Sequence, residues 1–189
     1  MKSVFWKNNR KKIIILVIFV ILLISGLYNK LKIQYYTIES EKITNPVRIV
    51  LVTDLHSCQY GEQQQELIQA VREQKPDLIA LSGDIFDDIL PDANTEYFLK
   101  GIAEDYPCYY VTGNHEYYAG VQAYDAKMAI LEKYHVNILS GTEEIAVCNQ
   151  QKIIFYGIED SAAGLKSNKQ LKKVIELSLI HISEPTRPL

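Results

Sequence analysis

The chain has 189 residues, 48% hydrophobic and 23% charged, with a net charge of −3, which describes a folding chain rather than a disordered one. Its basic residues form no stripe beyond the first dozen positions, so nucleic-acid binding is not indicated. Cys58, Cys108 and Cys148 are odd in number and widely spaced, and no disulfide framework can be read from them.

In chain order, the first feature is a basic segment, 1–12, carrying Lys2, Lys7, Arg10, Lys11 and Lys12, followed by an almost wholly apolar run over 13–28. Sixteen residues at a rise of 1.5 Å span about 24 Å, between a signal-peptide core and a full crossing. With Ser25 or Gly26 at position −1, Leu23 or Ile24 falls at −3, where cleavage needs a small residue, so an uncleaved signal-anchor is expected. The excess of positive charge before the run puts the N-terminus in the cytoplasm. The expected location is thus the cell membrane, single-pass, with the catalytic domain extracytoplasmic. Residues 29–45 read as a juxtamembrane connector. Within it, Ile33 to Ile38 suits a first strand, and Tyr28, Tyr35 and Tyr36 equally suit a membrane interface.

The domain proper is expected over 46–176. Arg48 to Thr53, Asp77 to Ser82 and Cys108 to Thr112 are short apolar runs of the kind found in buried parallel strands. Between and after them, Glu62 to Lys75, Ala93 to Asp105 and Val121 to Tyr134 carry apolar residues at helical spacing and read as crossover helices. Strand signals continue at Asn137 to Leu139, Glu144 to Cys148 and Lys152 to Tyr156, the last two forming a hairpin around an Asn-Gln-Gln turn. The class is α/β.

Each of the first three strands is followed by a polar cluster: Asp54-Leu55-His56, then Gly83-Asp84-Ile85-Phe86-Asp87, then Gly113-Asn114-His115-Glu116. Loops at the carboxyl ends of parallel strands form the crevice in which α/β proteins bind ligands. An isolated Asp there is more often a turn or cap residue, so the weight rests on the set. Oxygen and nitrogen donors without a thiolate suit manganese, iron or zinc. Asp84, on the middle strand, can bridge two divalent metal ions, one held with Asp54 and His56 and the other with Asn114. Such a pair clamps an in-line displacement at phosphorus. Competing phosphate chemistries lack their residues. His56 stands where an aspartyl-phosphate enzyme needs a second carboxylate, and there is neither a P-loop nor a Gly-x-Ser-x-Gly elbow.

These clusters resemble the motifs Asp-x-His, Gly-Asp-x-x-Asp and Gly-Asn-His-Asp/Glu of the calcineurin-like metallophosphoesterases, in the same order, over roughly Asn45 to Glu176. The resemblance implies a four-layer α/β/β/α sandwich with metal ligands Asp54, His56, Asp84 and Asn114. It also implies that His115 lies beside the scissile phosphate as general acid or charge stabiliser, with Asp87 orienting it. Glu116 reads as structural and Asp88 as a solvated neighbour of Asp87. Gly157-Ile158-Glu159-Asp160 resembles the family's Gly-Ile-Asp-Asp segment, with Glu159 in place of Asp.

The family's later Gly-His and Gly-His-x-His motifs do not occur in this sequence, and residues 177–189 resemble a translated sequencing adapter. The reading is therefore of a metallophosphoesterase sandwich whose C-terminal half is missing, preceded by one transmembrane helix. The parent is expected to hydrolyse phosphomonoester or phosphodiester bonds with a metal-activated hydroxide, on a phosphoester substrate near the membrane. The chain as written is expected to be weakly active or inactive. The alternative is a non-catalytic, membrane-tethered metal-binding module or the product of a decayed gene.

Overall fold

The computed structural model describes residues 10, 12–22 and 31–182, and side chains other than those of 165 and 177–182. The chain divides into two units, Met1–Thr37 and Ile38–Leu189. In the first, residues 12–22 form a helix, α1. The described part of this helix falls on the front of the expected anchor, and 23–28 lie outside the described residues. Among the described residues no helix is long and apolar enough to cross a membrane. Nor does the strand anticipated over Ile33 to Ile38 form. Residues 31–40 have no regular structure, and Tyr35, Tyr36 and Ile38 stand 77%, 82% and 91% exposed, with no neighbouring strand to take up their backbone bonds.

The second unit alternates strands and helices: β1 (Ile49–Val52), α2 (Gln65–Glu73), β2 (Leu78–Ser82), α3 (Ala93–Ile102) and β3 (Cys108–Val111). Two helices follow, α4 (Asn114–Tyr118) and α5 (Val121–Lys133), then β4 (Asn137–Ile138), the hairpin β5 (Glu143–Cys148) and β6 (Gln151–Tyr156), and α6 (Leu165–Ile182). Strands β1 to β4 form one parallel sheet in sequential order, and β5 and β6 form a separate antiparallel pair. The three crossover helices lie where helical spacing puts them. The hairpin turn is Asn149-Gln150, both at positive φ, as a two-residue turn between twisted strands requires. The sequence reading missed α4, too short to show a period, and α6.

Side-chain alternation gives β2 and β3 two buried faces. On one, Leu78 and Tyr109 pack with Leu139, Ala146 and Cys148, and the Tyr109 ring stacks on Phe155 with centroids 4.8 Å apart. On the other lie Ile79, Leu81 and Tyr110, all buried, as are Phe98, Leu99 and Ile102 of α3. The hairpin does not cover the edge strand, where Ile49 and Leu51 are 43% and 63% exposed. In α5 the inward residues are Leu131 and, unexpectedly, Lys127. The Lys127 ammonium is bonded to Asp92 at 2.8 Å and lies 5.7 Å from the centre of the Phe86 ring. Asp92 ends the loop after β2, so this buried ion pair fastens that loop to α5.

Candidate metal centre

The ladder between β1, β2 and β3 does not stop where the strands end. Asp54 N donates to the Gly83 carbonyl (3.2 Å), His56 N to that of Asp84 (2.9 Å), Ser57 N to that of Ile85 (3.1 Å), and Gly83 N to that of Val111 (2.9 Å). The first two polar clusters are thereby laced edge to edge. Asp54, His56 and Asp84 all take left-handed backbone conformations, with φ of 53°, 48° and 52°. Such a conformation costs a non-glycine residue about 1–2 kcal/mol and persists where surrounding bonds over-determine it, as these do.

Two glycines allow the third cluster to approach. Gly83 has φ 76°, and a Cβ there would lie 3.1 Å from the Gly113 Cα. A Cβ on Gly113 would lie 2.2 Å from Asp84 Oδ1 and 2.4 Å from Asp84 N, closer than any real contact. Backbone therefore packs against backbone, and the Asp84 carboxylate sits over Gly113 and accepts the His115 N–H at 2.9 Å.

At this edge lies a cleft of about 200 Å³ whose lining includes Asp54, Asp84, Asn114, Ile158 and Asp160. His56, Asp84 and His115 bring ligand atoms within 4.8 Å of one another. Asp54 stands beside this group, with Oδ1 3.9 Å from His56 Nε2, Oδ2 bonded to the Thr53 hydroxyl, and a side chain 65% exposed. The two imidazoles meet edge to face, with centroids 4.4 Å apart.

Asp87 and Asp88 flank the histidines differently. Asp87 Oδ2 lies 3.4 Å from His56 Nδ1 and 3.9 Å from His115 Nδ1, while its Oδ1 accepts the backbone N–H groups of Ile89 and Leu90. Asp88 Oδ1 is 2.7 Å from His115 Nδ1. The bond to Asp88 raises the His115 pKa above its ordinary value, against burial and with help from Asp84 and Asp87. Burial pushes the Asp87 carboxyl up, but the Leu90 and Ile89 amides, with His56 and His115, outweigh it and hold Asp87 below the ordinary carboxylate value. Asp87, Asp88 and His115 also form a second group whose ligand atoms lie within 4.8 Å of one another.

Two buried carboxylates brace the centre. Glu116 accepts the N–H groups of Gly113 (2.9 Å), Asp84 (3.2 Å) and Phe86 (3.0 Å), tying the second cluster to the third. Glu159 accepts the Tyr117 hydroxyl at 2.6 Å and pairs with Lys166 at 2.7 Å, linking α4 to α6. Burial pushes the Glu159 carboxyl up, and bonds from Lys166, Tyr117 and Gln170 reverse that and lower it. In the sequence the 157–160 segment read as a loop resembling the family's Gly-Ile-Asp-Asp, but nothing there marked Glu159 as a hub.

Carboxylate oxygens and imidazole nitrogens, with no cysteine in either group among the described residues, fit a divalent cation of the manganese, iron or zinc kind. The model of the calcineurin-like phosphoesterase family matches residues 47–180. The chain belongs to the calcineurin-like phosphoesterases. Members of this metallophosphoesterase family use divalent metal ions, in keeping with the donors at the strand ends. An uncharacterized metallophosphoesterase of Aquifex aeolicus is 30% identical over 138 residues, covering 69% of this chain and 50% of that protein. One from Helicobacter pylori is 27% identical over 94 residues, 48% of this chain and 25% of that protein. A third, from Campylobacter jejuni, is 29% identical over 113 residues, 57% of this chain and 30% of that protein. The chain thus spans half or less of the length of these metallophosphoesterase relatives.

Proposed function

We propose that this phosphoesterase hydrolyses phosphomonoesters or phosphodiesters with two divalent cations held by Asp54, His56, Asp84 and Asn114. The observation that carries the reading is the convergence of Asp84 with two histidines beside a cleft that Asp54 and Asn114 line. Bound cations of this kind polarise the phosphoryl oxygens and activate water. The chain's own residues do the rest. Asp84 is fixed by the His115 amide, so its carboxylate is oriented before any ligand arrives. His115 is hydrogen-bonded through Nδ1 to Asp88, which raises its pKa, and is the group placed to give a proton to a departing alkoxide. The fold is inferred to be the first part of a four-layer sandwich.

The test is exhaustive chelation of the full-length protein, followed by manganese or zinc, with p-nitrophenyl phosphate and its bis-ester as substrates. Turnover should vanish and return with the metal. Turnover that survives chelation, or none with any divalent cation, overturns the reading.

The proposal also places the enzyme on the outer side of the membrane, held by 13–28 after the basic segment, with membrane-proximal phosphoesters in reach. Protease added to intact cells should then remove the catalytic domain. A domain that stays protected until the cells are lysed would rule this placement out.

A further inference from the structure

We propose that the adjacent carboxylates after β2 divide two tasks: Asp88 positions His115 for proton transfer, and Asp87 positions His56 for metal binding. The proposal rests on the phosphoesterase reading above but departs from the family pattern, which gives the histidine to the residue at Asp87. Three observations carry it.

The first is distance. Asp88 Oδ1 lies 2.7 Å from His115 Nδ1, within hydrogen-bond reach, whereas Asp87 is 3.9 Å from the same nitrogen. Asp87 is nearer to His56, at 3.4 Å from its Nδ1. The second is the tautomer that these contacts select. A carboxylate hydrogen-bonded at Nδ1, as Asp88 is on His115, holds a proton there and leaves Nε2 for the ring's other task. On His56, Nε2 faces Asp54 at 3.9 Å, on the side of its expected fellow ligand, while Nδ1 faces Asp87. The third is rigidity. Asp87 Oδ1 is committed to the Ile89 and Leu90 amides, which fixes the turn. The Lys127–Asp92 pair fastens the end of the same loop. Asp87 cannot swing its Oδ1 onto His115 without breaking the bonds from the Ile89 and Leu90 amides.

The two tasks separate experimentally. Asp88→Asn keeps the side-chain shape and removes the charge. It should weaken manganese binding, measured by calorimetry, less than Asp87→Asn does. Turnover of alkyl phosphodiesters, whose leaving group needs a proton, should fall by about a hundredfold, within the usual worth of a general acid. Turnover of 2,4-dinitrophenyl esters, whose leaving group departs as a stable anion, should stay near wild type. Asp87→Asn should do the reverse, weakening manganese binding by about 10- to 100-fold and, at saturating manganese, leaving the dependence on leaving group unaltered. A purely structural role for either residue would depress both substrates alike.

The proposal is overturned if Asp87→Asn steepens the leaving-group dependence while Asp88→Asn does not, or if both variants bind manganese equally well. If the full-length wild-type protein shows no metal-dependent turnover, the reading beneath the proposal fails, and the contrast in manganese affinity still judges the part played by Asp87.

Discussion

Asp84→Asn is expected to lower phosphoester turnover on the order of a thousandfold while leaving the fold intact. The bridging position is where the charge of two cations would be shared, and metal stabilisation of developing charge amounts to several kcal/mol, at about 1.4 kcal/mol per tenfold in rate. Asparagine is the informative replacement because of the backbone. Asp84 has φ 52°, a conformation that asparagine tolerates nearly as well as aspartate, whereas alanine would add strain to the loss of charge. The amide oxygen can still accept the His115 N–H. Chemical denaturation should therefore give a wild-type midpoint while turnover collapses and manganese affinity drops. Turnover within tenfold of wild type would remove Asp84 from the centre of the reading.

Glu116→Ala should have the largest effect on stability. The Glu116 side chain is fully buried and its carboxylate accepts three backbone N–H groups, from Gly113, Asp84 and Phe86. Each donor left without a partner costs about 1–3 kcal/mol, so the variant should lose roughly 3–9 kcal/mol out of a typical 5–15. Glu116→Gln keeps one acceptor oxygen but turns an NH₂ group towards a backbone donor, and should fall between wild type and alanine. Urea unfolding measures both variants. A loss under about 1 kcal/mol for alanine would mean that the three amides find other partners and that Glu116 is not the clamp.

What was legible in the sequence follows from where each signal resides. Asp54, His56, Asp84, Asn114 and His115 each follow an apolar run that reads as a strand, and parallel pairing of those runs brings them to one edge, although the first strand, expected to be buried, is exposed at Ile49 and Leu51. The crossover helices showed through Leu67 and Val71, and through Phe98, Leu99 and Ile102, because one face of each is buried and the opposite face is not. Asp88 was passed over because it follows the motif position by one residue. Its bond to His115 depends on how the loop turns after Asp87, and no periodicity encodes that. Glu116 was read as structural, but its three backbone donors come from two segments some thirty residues apart and emerge only in three dimensions. Lys127 fell on the buried face of α5, where pattern alone argues against a charge, because Asp92 waits there to pair with it.

The lacing of Asp54, His56 and Ser57 onto the 83–85 loop also bears on how the chain assembles. These bonds join residues about thirty positions apart, and the Gly83 bond to Val111 joins the next pair of segments, so each waits for its own parallel crossover to close and the complete set needs both. Loop closure of that kind comes late and is entropically expensive. The ligand cluster therefore has no counterpart in the unfolded ensemble. A cation that binds it meets only the native form, and by mass action its binding free energy is added to the stability of the whole sheet.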